Sequence, residues 1–365
     1  MYDLIVVGGG PAGSSAAISC ARHGARVLLL ERGQFPRHKV CGEFVSAESL
    51  ELLSTLLAPQ QAGLVADAVR IARARLFLDG RMIETPFDPS AASISRLDLD
   101  VALWDSAERS GVDGRQQVVV QSISGTDPFV VTTSVGEFEG RALINASGRW
   151  SNLNLTGTDT RKTPVKWLGL KAHFAESPSQ VSVDLYFLDG GYCGVQPVNL
   201  RDGNRQTERV NVCALVRADV ASTLPEVFDC HPALQKRSHG WRLLSEPVTT
   251  SPLVFREPQP ERDGILMTGD AAGFVDPFVG DGVSLALRSG TLAAESLIPF
   301  FAGKISLPQA ARDYRSAYER QLTPVFRTAS KIRRVLSLPQ SVRIPIFRLL
   351  EKMPAITRYL VRRTR

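Results

Sequence analysis

Residues 4 to 31 leave the chain few choices of fold. Leu4-Ile-Val-Val7 is a short apolar run of the kind that a strand buried on both faces needs, and Gly8-Gly-Gly-Pro-Ala-Gly13 follows it with G-x-G-x-x-G spacing. Ser14 to Arg22 then reads as a helix, and Arg26-Val-Leu-Leu-Leu30 as a second buried strand that delivers Glu31 and Arg32. In this order Gly8 serves a tight turn, Gly10 lets a phosphate approach the backbone, and Gly13 lets the helix pack on the strand. Pro11 and Ala12 sit in the first turn, where unpaired amides favour an anion. Glu31 stands where a carboxylate can bind sugar hydroxyls.

A second segment, Gly264 to Arg288, completes this site. Ile265 to Thr268 predicts a strand running into Gly269-Asp270, and the Ala-rich apolar run after Gly282 predicts a helix entered through a glycine turn. Asp270 can accept hydrogen bonds from hydroxyls. The amides near Asp281, Gly282 and Val283 can hold negative charge at a helix start.

Together the two segments resemble the FAD-dependent oxidoreductases that include the p-hydroxybenzoate hydroxylase type and the geranylgeranyl reductases. Gly269-Asp270-Ala-Ala-Gly-Phe-Val-Asp-Pro277 followed by Gly280-x-Gly282 is similar to their second FAD fingerprint. The resemblance covers residues 1 to about 300. It implies an α/β fold, with a Rossmann-like FAD-binding domain interleaved with a β-sheet substrate domain and followed by a helical C-terminal extension. It also implies FAD as cofactor, and NAD(P)H as transient reductant. Asp276, Pro277 and Gly280 to Gly282 are expected to bracket the flavin ring, and Arg96 matches an arginine that contacts FAD in that superfamily.

The apolar periodicities divide the chain accordingly. The expected FAD-binding domain is discontinuous, over 1–70, 95–160 and 262–305. It includes a helix over 96–110 and strands over 117–121, 129–133 and 142–146. The β-rich substrate domain is expected over 71–94 and 161–261, where Val181-x-Val183-x-Leu185-x-Phe187 and Val210-x-Val212-x-Ala214 alternate as strands of a sheet with one buried face. In the resembled family such a sheet roofs the substrate pocket.

A chain of 365 residues, 44% hydrophobic, can bury a large core, and no apolar run reaches the ~18 residues of a spanning helix. No basic leader precedes the first strand, and five cysteines without a C-x-x-C pair argue against zinc and a disulfide framework; a cytoplasmic setting is expected. The net charge of +6 is uneven, since residues 327 to 365 carry 11 Lys or Arg against Glu351 alone. The basic segment 306–365 reads first as a helical layer packed on the body. Its sharper reading is contact with a lipid surface or carrier protein, peripheral to the membrane. Nucleic acid is not expected as a partner, because no aromatic platform or recognition motif accompanies the charge.

The loop Pro36-Arg-His-Lys-Val-Cys-Gly-Glu43 carries the nearest thing to chemistry. Its Lys39-x-Cys41-Gly42 core is similar to the loop beside the isoalloxazine in geranylgeranyl reductase-like proteins. The Cys41 thiol can act on flavin or substrate or simply pack, and Lys39 and Arg37 suit phosphate or flavin-carbonyl contacts. His38 shows no carboxylate partner in the sequence. Ser147, in Asn145-Ala-Ser-Gly-Arg-Trp-Ser151, stands where the hydroxylases have an acid associated with FAD and nicotinamide handling. Gly190-Gly-Tyr-Cys-Gly-Val-Gln-Pro197 keeps Tyr192 and Pro197 of the reductases' Tyr-x-Trp-x-Phe-Pro pattern, with Gly194 in place of tryptophan. Tyr192 is the expected polar substrate contact, and Cys41 and Tyr192 are the candidate catalytic residues.

The favoured activity is a monooxygenase (hydroxylase) acting on an aromatic or polyketide-like, lipid-bearing substrate. The alternative is a geranylgeranyl reductase-like alkene reductase with an isoprenoid lipid substrate. A flavin halogenase is a weaker reading, since the four tryptophans stand apart from any Trp-x-Trp motif. A non-enzymatic flavin-binding protein comes after it.

Overall fold

The parallel sheet at the N-terminus grows outward from a central strand. β1 (Tyr2–Val7) is buried nearly throughout and pairs in parallel with β2 (Val27–Leu30) on one side and β9 (Gly136–Asn145) on the other. β6 (Asp113–Arg115) extends the sheet beyond β2, and β17 (Ile265–Met267) beyond β9 with β16 (Glu261–Arg262) at its edge. β7 (Val120–Ser124) and β8 (Phe129–Thr133) form an antiparallel appendage on the first half of β9. Val7, Leu30, Asn145 and Met267 all lie at the carboxyl end of the sheet. That is the edge where open α/β sheets place ligands. The structure is a computed structural model and describes residues 1–149, 166–177, 180–200, 208–253, 255–336, 338 and 341–345.

Helix α1 (Pro11–Arg22) leaves the glycine turn three residues earlier than the apolar pattern predicts, because Pro11 is pre-set for a first helical turn. It packs against α7 (Gly282–Phe301) so closely that a Cβ at Gly290 would lie 2.2 Å from the Ala12 carbonyl oxygen. The Ser15 hydroxyl donates to the Leu287 carbonyl at 2.8 Å across the same crossing. α2 (Ala47–Leu56), the short α3 (Gly63–Ala66) and α4 (Arg96–Arg109) complete this layer. The strand expected over 117–121 begins at Val120 instead, since Gln117 takes a left-handed φ of 61° that interrupts pairing.

The second sheet runs β14-β10-β13-β12-β11-β4-β5-β3, with β15 also on β10. Its strands are β3 (Phe44–Val45), β4 (Val69–Leu78), β5 (Arg81–Ser93), β10 (Trp167–Ala175), β11 (Val183–Leu188), β12 (Gly191–Pro197), β13 (Arg209–Arg217), β14 (Arg242–Leu243) and β15 (Val248–Thr250). The expectation of one buried face is corrected here: both faces are covered. On β11 it is Asp184 and Tyr186 that are fully enclosed, while Val183, Leu185 and Phe187 are half-buried on the other face. The far face is roofed by α5 (Leu224–Asp229) and α6 (Pro232–Ser238), two helices inside the stretch expected to be β-rich. Burying Asp184 is tolerable because Arg75 grips it through two nitrogens and Arg237 and Ser182 also donate to it.

α8 (Leu307–Gln321) and the first half of α9 (Thr323–Leu336) belong to the main core. Tyr314 is fully buried and donates to the Met267 carbonyl at 2.7 Å, and Val325, Phe326 and Ala329 pack in the same cluster. Two of the basic residues are used in packing. Arg333 lies 4.2 Å from the Phe255 ring centroid, and Arg343 is buried in a two-nitrogen grip on Asp79. Of the segment expected to be a helical layer, residues 346–365 lie outside the described residues, as do Trp150 and Ser151. Among the described residues no helix is long and apolar enough to cross a membrane.

Candidate functional site

A cavity of about 560 Å³ opens at the carboxyl edge of the first sheet and is closed above by the second. The glycine turn forms one wall. Gly8 has φ of 109°, and a Cβ at Gly13 would sit 1.8 Å from the Gly8 carbonyl oxygen, so each fixes the turn for a different reason. Gly8, Gly10, Pro11 and Ala12 line the cavity, and Gly13 stands behind them. Glu31 and Arg32 line it farther along. The Glu31 carboxylate accepts from the amides of Gly9 at 3.0 Å and Gly33 at 2.9 Å and from Arg37 at 2.6 Å. A carboxylate offers about four acceptor positions, so one remains for a further donor.

Cations gather opposite the glycine turn. Arg96 donates through two nitrogens to the buried Asp100 at 2.8 and 2.7 Å, and Lys39 approaches the same carboxylate at 3.9 Å. Burial disfavours both charges; Asp100 nevertheless raises the Arg96 pKa above its usual value, while Lys39 ends below its own. A Cβ at Gly10 would meet only the tips of Arg96 and Lys39, at 3.9 and 4.0 Å.

The far wall comes from the second fingerprint. Gly269, Asp270, Pro277, Gly280, Gly282 and Val283 line the cavity, and Asp281 is buried behind them at the N-cap of α7. Neither α1 nor α7 has a side-chain cap, so the positive ends of two helices face one cavity. Asp270 is paired with Arg149 at 3.4 Å, and Arg149 stacks 4.3 Å from the Phe274 ring centroid. Ser147 lines the cavity too, its hydroxyl held by Asn145.

The cysteine loop brings together residues that the sequence left apart. Cys41 and Gly42 line the cavity; the Cys41 sulfur accepts from the Glu43 amide at 3.3 Å and from Arg96, and Asn211 donates to the Cys41 carbonyl at 3.0 Å. Glu43 is fully buried at a left-handed φ of 61°. Its carboxylate accepts from Lys171 at 2.8 Å and from the Arg96 amide at 3.0 Å, and lies 2.9 Å from His173 Nε2. Burial alone would raise its pKa, but Lys171 and His173 hold it down at about 2. Sequence reasoning missed Lys171 and His173. Their signal was two polar residues, two apart, on one strand, which in β10 face the same side.

One face of the second sheet forms the ceiling, graded along its length. Paired positions His173 and Asn211, then Lys171 and Cys213, then Gly169, Leu215 and Tyr192, share that face, followed by Phe187 and Leu185. The polar end lies over the cysteine loop. The other end is an apolar cluster of Tyr192, Leu215 and Leu253 with Phe187, Phe274 and Phe278. The Tyr192 hydroxyl is buried there with no hydrogen-bond partner among the described residues, and burial keeps it protonated far above its usual range. At Gly194 a Cβ would meet Leu185 at 3.3 Å, so a leucine occupies part of the room a tryptophan would need. Asp276 lies close behind, its pKa pushed up to about 6 by burial against the opposing pulls of the Phe278 amide and Arg333.

These surfaces fit FAD. A dinucleotide needs helix amides and cations for its pyrophosphate, acceptors for its hydroxyls, and a flat slot with positive polarity for a ring that becomes anionic. The wall is set back where such a molecule would lie, since at Gly42 and Gly282 an added Cβ would meet nothing within 4 Å. Digeranylgeranylglycerophospholipid reductase 2 of Methanopyrus kandleri is 27% identical over 366 aligned positions, covering 92% of this chain and 87% of its own. Menaquinone reductase of Mycobacterium tuberculosis is 28% identical over 320 positions, covering 81% and 76%. The structure of the flavin-dependent brominase Bmp2 superposes with a TM-score of 0.78 at 19% identity, covering 100% of this chain and 93% of that one, which is a likeness of fold. The family described as FAD binding domain (FAD_binding_3) matches residues 1–329, from the first strand into α9, and the chain therefore belongs to this family of FAD-dependent oxidoreductases.

Proposed function

We propose that the protein is an FAD-dependent reductase that saturates a carbon–carbon double bond in an apolar, lipid-bearing substrate, with NAD(P)H or another two-electron donor as reductant. The observation that carries this reading is the Cys41 thiol in the cavity wall, held by Arg96 and the Glu43 amide beneath the polar end of the ceiling. FAD, when bound, supplies hydride acceptance and donation and the activation of oxygen. The residues supply the rest: Arg96 and Lys39 bind, the two helix ends stabilise negative charge, the aromatic cluster excludes water, and Cys41 presents a proton at Sγ. The names of the two curated relatives, both reductases of lipidic molecules, support the same choice.

The hydroxylation favoured by the sequence alone stands as the second reading. Tyr192 and Phe274 line the cavity, with Phe187 and Phe278 in the same cluster, and form a wall on which an aromatic ring can stack. The neutral Tyr192 hydroxyl can orient a phenol or carbonyl. Anaerobic stopped-flow reduction with NADPH and NADH, followed by oxygenated buffer with and without an isoprenoid quinone, separates the two. Slow loss of the reduced flavin to oxygen with fast loss to the alkene supports the reductase. Fast reaction with oxygen that incorporates an oxygen atom into an aromatic acceptor overturns it.

The basic tail and the lipidic substrate class lead us to propose peripheral contact with an anionic membrane from a reducing, cytoplasmic compartment. On α9, Arg327, Lys331 and Arg334 are exposed to solvent and available for that contact.

A further inference from the structure

His38 brings an imidazole from the edge of the buried polar cluster to the cavity. It lines the cavity wall, its ring centroid is 5.4 Å from that of His173 in an edge-on arrangement, and its buried Nδ1 has no hydrogen-bond partner among the described residues. His173 is enclosed, its Nε2 facing Glu43 and its own Nδ1 also without a partner. The charges facing His38 are Lys171 and His173 from β10 and Glu43 from its own loop. Cys41, Cys213, Arg37, Lys39 and Arg96 are the other titratable groups nearby on the wall. Burial, then Lys171 and His173, lower its pKa, with Glu43 opposing, so at neutral pH the imidazole is uncharged.

We propose that His38, seated on the buried cluster of Lys171, Glu43 and His173, takes up one proton when the bound cofactor is reduced and returns it in the step that consumes the reducing equivalents. The electrostatic reason is local. A hydride from NAD(P)H brings two electrons and one proton, so reduction leaves one additional negative charge in the cavity. Among the neutral side-chain types on the wall, imidazole has the ordinary pKa closest to neutral, and a new negative charge beside His38 raises its proton affinity. Lys171 and Glu43 cancel each other's charge while fixing the ring beneath His38. The substrate step then balances: the π bond breaks, the hydride forms a C–H bond at one carbon, and the proton from His38, directly or through the Cys41 thiol, forms the other. The sum is one NAD(P)H, one proton and one double bond converted to NAD(P)⁺ and a saturated bond.

The handover to substrate rests on the reductase reading; the redox-linked protonation of His38 does not. The test is therefore a spectroelectrochemical titration of the FAD-loaded protein between about pH 5 and 9, without substrate, on wild type, His38→Asn and His38→Gln. The expected result is a pH window in which wild type takes up one more proton per two electrons than on either side, and its loss in both variants with the flavin absorbance unchanged. A window that persists in His38→Asn, or one that wild type lacks, overturns the proposal. Absence of alkene reduction with the window intact refutes the reductase reading instead.

Discussion

Removing the Lys171 ammonium tests the electrostatic argument most directly. Both it and Glu43 are fully buried and 2.8 Å apart. Glu43 titrates at about 2 against an ordinary 4.5, and a difference of that size corresponds to about 3 kcal/mol of differential stabilisation. Stripping one partner from a buried pair typically costs about 3–5 kcal/mol, because the other charge stays buried without compensation, whereas removing both is often close to neutral. Lys171→Met is thus expected to lose about 3 kcal/mol, Glu43→Gln a comparable amount, and the double variant much less than their sum. Urea unfolding of the FAD-free proteins at pH 7, followed by circular dichroism, measures all four corners of the cycle. The pH dependence has a definite sign. The folded-state pKa of Glu43 is depressed, so its contribution is complete above pH 4.5 and is lost as pH falls toward 2, and Lys171→Met flattens that dependence. A loss below about 1 kcal/mol in Lys171→Met, or simple additivity in the double variant, refutes the reasoning.

Asp270→Ala removes an acceptor that lines the cavity, with an expected cost of about 1–3 kcal/mol in FAD affinity by fluorescence titration; unchanged affinity removes Asp270 from the cofactor site. Cys41→Ser is expected to slow alkene turnover while leaving anaerobic flavin reduction intact, and equal rates in both steps return the thiol to packing. Asp276 has a raised folded-state pKa of about 6 against 3.8, so the cost of its ionisation appears as pH rises through that range. Asp276→Asn should accordingly stabilise the FAD-free protein at pH 8, by about 2–3 kcal/mol at most, and have little effect at pH 3.5; equal effects at both pH values contradict the assignment. Truncation after Phe326 removes the buried Ala329 and the Arg343 grip on Asp79, and a lowered unfolding midpoint is expected. A truncated protein of full stability would show that residues beyond 326 do not belong to the fold.

The cofactor half of the site was readable because its chemistry depends on local backbone. Gly8 and Gly13 announce a turn whose geometry excludes side chains, and Gly280 and Gly282 announce a helix entry, each within a few residues of chain. The substrate half depends on pairing between distant strands. Lys171 and His173 meet Glu43 across 128 and 130 residues, and nothing local to Trp167–Ala175 shows which face of β10 turns inward. The alternation of β11 was read in the correct period and the wrong sense. Its apolar residues Val183, Leu185 and Phe187 are half-buried, and its buried residues are Asp184 and Tyr186, which become acceptable inside only because Arg75 and Arg237 arrive from elsewhere. One local signal was overlooked: Thr223-x-x-Glu226 is a capping box, with the Glu226 carboxylate accepting from Ser222 and the Thr223 hydroxyl accepting from Glu226, and it starts the helix layer that roofs the far face.

The graded ceiling explains why one scaffold accommodates two readings of the reaction. Reduction of an alkene needs a hydride donor on one side and a proton source on the other, whereas hydroxylation of an electron-rich ring needs position and dryness more than a proton source. The aromatic end, with Tyr192 and Phe278 edge to face at 6.2 Å, supplies position and dryness for either. The polar end is what only one of them uses. Sustaining Glu43, Lys171 and His173 in a fully buried cluster, with Glu43 in a left-handed backbone conformation, carries a desolvation cost that an apolar filling would avoid. The cluster holds the loop on which Cys41 and His38 both face the cavity, so it organises proton sources at the end where the second reading has no use for them. That asymmetry, more than the shape of the aromatic end, is the ground on which we propose reduction.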